Sequence, residues 1–162
     1  MSEHTATIRW KDVGPDFSRG QYSRLHTWTF DGGLSVTASP SPSVVPPPWS
    51  NPAHIDPEEA LVASISSCHL LTFLYLASCD GFQVESYEDA AVGIMTKNEK
   101  GVPWVSRVTL HPRVIYRGAK IPVPHDEARL HHLAHEQCFI ANSVKTEIVV
   151  RWERLSPPDN KS

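Results

Sequence analysis

Three cysteines, at positions 68, 79 and 138, are the side chains of this 162-residue chain best suited to covalent chemistry. A cysteine thiolate is a nucleophile, a reductant and a metal ligand. Cys68 sits within Ser66-Ser67-Cys68-His69, midway along an apolar stretch, and Cys138 precedes Phe139-Ile140-Ala141-Asn142-Ser143. Each also has a plain packing reading, because free cysteine is among the most buried residue types. Cys79 follows Cys68 by eleven residues. On one helix that is about 16 Å of rise, too far for a disulfide between them, so Cys79 is assigned to packing. A rival constellation is His131, His135 and Cys138, at i, i+4 and i+7 on one helical face. These could ligate zinc, although no paired Cys-x-x-Cys accompanies them. Two charged residues complete the candidates. Arg24 precedes a strand, and a guanidinium near Cys68 would stabilise its thiolate. Glu58 lies ten residues before Cys68, about 80° away in azimuth. Both could border a cavity at the N-terminal half of one helix, and an acid in a first turn also favours the helix dipole.

The elements that must position these residues are legible from pattern. Asp56-Pro57-Glu58-Glu59 opens a helix, with Asp as cap, Pro at the first position and acids in the first turn. The helix should run to about Cys79 and stop near Asp80-Gly81. A second should begin after Pro122 and Pro124, with Asp126 as a possible cap, and end near Cys138. Trp28 and Phe30 alternate with threonines, Asp31-Gly32-Gly33 turns the chain, and Leu34, Val36 and Ala38 alternate again, which predicts a hairpin. Phe82, Val84, Ala90, Val92 and Ile94 share one parity, and Asn98-Glu99-Lys100-Gly101 follows as a turn. Val108, Leu110, Val114 and Tyr116 then oppose Arg107, Thr109, His111 and Arg113, and Val144 to Trp152 make a last half-wet strand. Such strands are typical of antiparallel sheet. Seven prolines between Pro40 and Pro57 exclude a helix or central strand there and predict an ordered wall or lid. The order of strands and helices indicates an α+β fold, a single domain over 1–155 with a disordered tail at 156–162.

Composition narrows the function classes. Hydrophobic residues make up 40% and charged residues 20%, enough for a packed core. A net charge of −3 leaves no electrostatic footprint for nucleic acid or an acidic membrane. Three cysteines, an odd number, fit a reducing cytoplasm better than a secreted disulfide framework. The N-terminus, MSEHTATIRWKDV, has no signal-peptide pattern. Ala60 to Cys79 carries no charge and is long enough to span a bilayer. Its serines, His69 and acidic flanks instead read as a helix buried in a protein core. A helix apolar on every side needs more cover than so small a chain offers, which predicts a homodimer.

Two blocks and the element order resemble the OsmC/Ohr family of thiol peroxidases. Asp56-Pro57-Glu58-Glu59 through Ser66-Ser67-Cys68 looks like that family's proline-glutamate helix with its cysteine. Ala134-His135-Glu136-Gln137-Cys138 through Ser143 looks like its second cysteine block, although Phe139 stands where the family usually has proline and Ala141 is a further departure. The resemblance implies an OsmC-like fold, with antiparallel hairpins around a long buried central helix in an intertwined homodimer with interface sites. It implies that Cys68 is the peroxidatic cysteine, Cys138 the resolving one, and Glu58 the acid that locks the site arginine in a bidentate pair. Arg24 matches that arginine by its spacing to the Asp31-Gly32 turn, with Arg19 as the fallback. The implied activity is reduction of organic hydroperoxides to alcohols through a Cys68 sulfenic acid and a Cys68–Cys138 disulfide. The implied reductant is an external dithiol such as a lipoylated protein, with no metal or other cofactor. A thiol redox sensor or small-molecule binder on the same fold is the alternative.

Overall fold

The computed structural model describes residues 1–12, 14 and 16–154. The tail expected at 156–162 lies outside them. The chain divides into two compact units, Met1–Ala60 and Leu61–Ser162.

The first unit is built on an antiparallel sheet of β1 (Ala6–Arg9), β2 (His26–Phe30) and β3 (Ser35–Ala38), with β2 in the middle. Trp28 pairs with Val36, so the hairpin has the register its alternation predicts. Gly33 at φ 83° lets the turn close, and Asp31 accepts a hydrogen bond from the Gly32 N–H. The proline-rich segment after β3 is irregular, as expected, yet held. Buried Ser39 donates its backbone N–H to the Ile55 carbonyl at 3.0 Å, and its hydroxyl accepts from the Asn51 N–H at 2.8 Å.

Helix α1 (Pro57–Cys79) starts and ends where the sequence predicts. Asp56 accepts from the Glu59 N–H at 2.7 Å while Glu59 accepts from the Asp56 N–H at 3.2 Å, a reciprocal box that satisfies two otherwise orphan donors. One stripe of α1 is buried: Ile65, His69, Phe73 and Ala77, each four residues apart. Leu71 and Tyr75 are each 65% exposed. The helix expected to be buried all round is therefore covered within the chain along a single face. It is long and apolar enough to cross a membrane, but its buried stripe packs on protein.

In the second unit, β4 (Gln83–Asp89) pairs antiparallel with β7 (Pro112–Arg117), and β5 (Val92–Lys97) pairs antiparallel with β6 (Pro103–Leu110). The continuous parity of residues 82–96 is thus divided between two sheets. The Asn98–Gly101 turn is present, with the Asn98 carboxamide oxygen accepting from the N–H groups of Lys100 and Val102. The last strand is also divided: β8 (Glu147–Val150) runs parallel to β6, and β9 (Glu153–Arg154) parallel to β7. Parallel pairing here departs from the wholly antiparallel expectation, because both segments arrive after a helical crossover. Helix α2 (Pro124–Gln137) has Val123 as its N-cap. Asp126 sits one turn inside and accepts from the Val123 N–H at 3.2 Å, which corrects its expected capping position. Two apolar clusters anchor α1. Phe73 and Ala77 pack with Phe82, Val114, Leu130 and Ala134, while Ile65 packs with Val105, Val108 and Leu110.

Candidate active site

Cys68 is half-buried on α1, and Cys138 is fully buried where α2 ends. Seventy residues separate them in sequence, yet the two thiols are neighbours close enough to perturb each other's titration, and both are reduced. The backbone after α2 supplies donors to both sulfurs. The Ile140 N–H donates to Cys68 Sγ at 3.4 Å, and the Ala141 N–H donates to Cys138 Sγ at 3.4 Å. Burial pushes the Cys138 thiol up to about 11, the neighbouring Cys68 adds to that, and the Ala141 N–H opposes it. At neutral pH Cys138 is therefore a protonated thiol beside Cys68.

The turn that holds Cys138 is fastened by Asn142. Its carboxamide N–H groups donate to the Glu136 and Cys138 carbonyls, each at 2.9 Å, so two carbonyls left over at the helix end are satisfied. The Ser143 hydroxyl donates to the Phe139 carbonyl at 2.8 Å. Phe139 itself is 83% exposed. Asn142 and the Ile140 N–H carry no role in the sequence reading. The Asn142-Ser143 pair directly after a helix end was the available signal, since both residue types bond locally to backbone.

Beside the cysteines lies a buried histidine pair that the sequence did not disclose. His69 Nε2 and His131 Nδ1 are 3.2 Å apart, and the rings are nearly parallel at 3°. His131 also stacks on Phe73 at 4.4 Å and on Trp152 at 5.6 Å. Burial lowers His69 to about 4, opposed by Asp89 and reinforced by His135. Burial and then His69 lower His131 to about 3. Both rings are neutral at pH 7, and one donates its N–H to the other. The zinc constellation of His131, His135 and Cys138 does not form: His131 turns to His69, and no group of three His, Cys, Asp or Glu is arranged to hold a metal among the described residues.

Arg24 and Glu58 belong to the first unit. The Arg24 N–H donates to the Trp49 carbonyl at 3.2 Å, which ties the residue to the proline-rich segment. Its guanidinium lies over the Tyr22 ring, 4.1 Å from the centroid, and Nη1 donates to the Tyr22 carbonyl at 3.1 Å. No ion pair joins it to Glu58 among the described residues, which corrects the expected bidentate lock. The guanidinium is instead met two residues back along its own chain. Glu58 stands half-buried in the first turn of α1. Arg19, the fallback, lies in the exposed 3₁₀ turn Phe17–Arg19 and pairs with Asp16 at 3.7 Å. That contact is a surface ion pair.

The family model described as OsmC-like protein matches residues 50–153. An OsmC-like protein of unknown function from Vibrio cholerae is 52% identical, with 94% of this chain and 100% of that one covered and a TM-score of 0.92. An organic hydroperoxide resistance protein from Legionella pneumophila is 13% identical over 96% of this chain and 98% of its own, with a TM-score of 0.69. The organic hydroperoxide resistance protein of Bacillus subtilis is 18% identical over 95% and 98%, with a TM-score of 0.63. The last two likenesses are to the fold. No functionally curated protein matches the chain in sequence.

Proposed function

The chain belongs to the OsmC-like family, and from that premise we propose that it is a thiol peroxidase that reduces organic hydroperoxides to alcohols. The observation that carries the reading is the adjacency of two reduced thiols, Cys68 and Cys138, drawn from opposite ends of the second unit. One is half-buried and reachable, while the other is buried and protonated, which is the asymmetry a peroxidatic and a resolving cysteine need.

The steps balance as follows. The Cys68 sulfur attacks the terminal oxygen of ROOH, the O–O bond breaks, and RO⁻ takes up the thiol's proton to leave as ROH. Cys68 is then a sulfenic acid. The Cys138 sulfur attacks it, an S–S bond forms, and the sulfenic oxygen leaves as water with the Cys138 proton. An external dithiol reduces the disulfide by exchange and becomes a disulfide itself. The Ile140 N–H, aimed at Cys68 Sγ, stabilises negative charge on that sulfur. Arg24 is the cation assigned to orient the peroxide. We further propose a cytoplasmic homodimer as the working form, with a lipoylated protein as reductant. Leu71, Tyr75 and Phe139, exposed on the second unit, are the apolar surface such a dimer would cover.

Steady-state consumption of cumene hydroperoxide with dihydrolipoamide as reductant tests the reading. Repeated turnover by wild type and none by Cys68→Ser is the expected result. Oxidation of wild type once, with no repeated turnover under any dithiol, would mark a redox sensor instead.

A further inference from the structure

His69 directly follows Cys68 on α1, and His131 precedes Cys138 by seven residues, about two turns of α2. The hydrogen bond between His69 Nε2 and His131 Nδ1, at 3.2 Å, therefore joins the two helices that position the thiols. The peroxidase steps use neither ring. Stability alone does not account for the pair either. His69 Nδ1 and His131 Nε2 are both buried without a hydrogen-bond partner, a cost that two apolar side chains of the same shape would avoid. What the pair supplies, and apolar packing does not, is direction: a hydrogen bond fixes a distance and an angle. His131 is held in turn by Phe73 of α1 on the one hand and Trp152 on the other, with ring planes inclined by 25° and 20°. Helix α1 has a further anchor two residues before Cys68, where the Ser66 hydroxyl donates to Asp89 at 2.5 Å and Asp89 accepts from the His111 N–H at 2.6 Å. Helix α2 reaches other elements through three polar side chains among the described residues: Glu127 to Tyr116, Arg129 to Asp80, and His131 to His69. His131 is the last of these before Cys138.

We propose, building on the peroxidase reading, that His69 and His131 are positioning residues whose hydrogen bond holds Cys138 against Cys68, so that the Cys68 sulfenic acid is resolved before a second peroxide reaches it. A disulfide needs the two Cα atoms within about 7 Å. Thiols on separate helices meet that condition only while the helices keep their register. Held so, the two sulfurs react as one unimolecular system. Without the tie, α2 is free to slide along α1, and the effective concentration of one thiol at the other falls. Two consequences follow, and neither requires a ring to gain or lose a proton. First, the dithiol passes two electrons to glutathione disulfide less favourably; in that exchange the Cys68–Cys138 bond forms, the glutathione S–S bond breaks, and two glutathione thiols leave with the two protons. Second, the sulfenic acid waits longer, and a second ROOH gives it an oxygen and leaves as ROH, which makes Cys68 a sulfinic acid.

The test equilibrates the full chain with mixtures of reduced and oxidised glutathione and measures the Cys68–Cys138 disulfide by thiol trapping and mass spectrometry. The equilibrium constant is the effective concentration of the two thiols. His131→Phe and His69→Leu should each lower it about tenfold, equivalent to about 30 mV. His69→Gln, whose side-chain amide reaches the place of Nε2 and keeps a hydrogen bond to His131, should stay within about threefold of wild type. Gly93→Ala, which strains the contact of β5 with Val62 on α1 and leaves the pair intact, should not move it, so a general loss of stability is told apart from lost positioning. Where His131→Phe does not fold, His69→Leu against His69→Gln carries the same comparison. Under excess cumene hydroperoxide the sulfinic fraction at Cys68 should rise in His131→Phe and His69→Leu and stay at the wild-type level in the other two. Equal constants in all the variants, or His69→Gln as low as His69→Leu, would overturn this inference and leave the peroxidase reading standing. The expected shifts without peroxide turnover by wild type would overturn the peroxidase reading and keep the hold of the pair on the dithiol. No Cys68–Cys138 disulfide in wild type at any glutathione ratio would overturn both.

Discussion

Acidification should weaken this protein through its buried histidine pair, and the size of the effect follows from the geometry. An exposed histidine in the unfolded chain takes up a proton near pH 6.5. Folded, His69 resists protonation down to about pH 4 and His131 down to about pH 3, because burial disfavours the charged ring and each neighbours another histidine. The unfolded state therefore binds more protons than the folded state once the pH drops below about 6.5. By linkage, folding stability falls as pH falls, and it continues to fall until the folded pKa values are reached. Between pH 7 and pH 5 each ring costs about 2 kcal/mol, so the pair costs about 4 kcal/mol. Domains of this size have about 5–15 kcal/mol in total. The perturbation is His131→Phe, which keeps a ring between Phe73 and Trp152 and removes one titrating group. The variant loses the His69 hydrogen bond and should be less stable at pH 7 by about 1–3 kcal/mol. Its further loss on going to pH 5 should be smaller than that of wild type by about 2 kcal/mol. Urea unfolding at pH 7 and pH 5, on both proteins, reads this difference directly. Equal pH-dependent losses in the two proteins would refute the reasoning.

Two further outcomes follow from packing and exposure. A Cβ at Gly93 on β5 would lie 2.5 Å from the Val62 methyl on α1, so Gly93→Ala should lower stability by about 2 kcal/mol, read as a drop in Tm of roughly 6 °C; an unchanged Tm would contradict the close approach of β5 and α1. Alkylation of the reduced protein at pH 8 should label exposed Cys79 readily and Cys138 last, since burial leaves only about one Cys138 in a thousand as thiolate at that pH; mass spectrometry of peptides checks the order, and equal labelling of the two would contradict it.

Much of this fold was legible because its signals are local. Asp56-Pro57-Glu58-Glu59 is a cap, a first-position proline and two first-turn acids, and α1 begins there. The Asp31-Gly32-Gly33 turn and its flanking alternation name the β2–β3 register. The non-local features were not legible. Parity from Phe82 to Thr96 reads as continuous because β4 and β5 keep the same phase across the break at Ala90-Ala91, and parity cannot report which sheet a strand joins. Parallel pairing of β8 and β9 is likewise set by partners about forty residues away. At the site, the Cys68–Cys138 adjacency was reachable only through family resemblance, since neither spacing nor periodicity links residues seventy apart. His69 had a fair signal, because it falls on the Ile65–Phe73–Ala77 stripe that α1 buries, one position round from Cys68. Its partner did not, since His131 looks equally suited to pairing with His135 or Cys138. The expected Arg24–Glu58 lock failed for a local reason: Tyr22 offers Arg24 both a ring face and a carbonyl two residues away.

The central claim is that Cys68 and Cys138 form one reactive dithiol, and mass mapping after a single equivalent of cumene hydroperoxide tests it most directly. Wild type should lose two hydrogens and yield a Cys68–Cys138 linked peptide with Cys79 still free. Cys138→Ser should instead retain one added oxygen on Cys68, trapped as the sulfenic acid by a dimedone-type reagent. A linkage involving Cys79, or a sulfenic acid found on Cys138 while Cys68 remains reduced, would contradict the account.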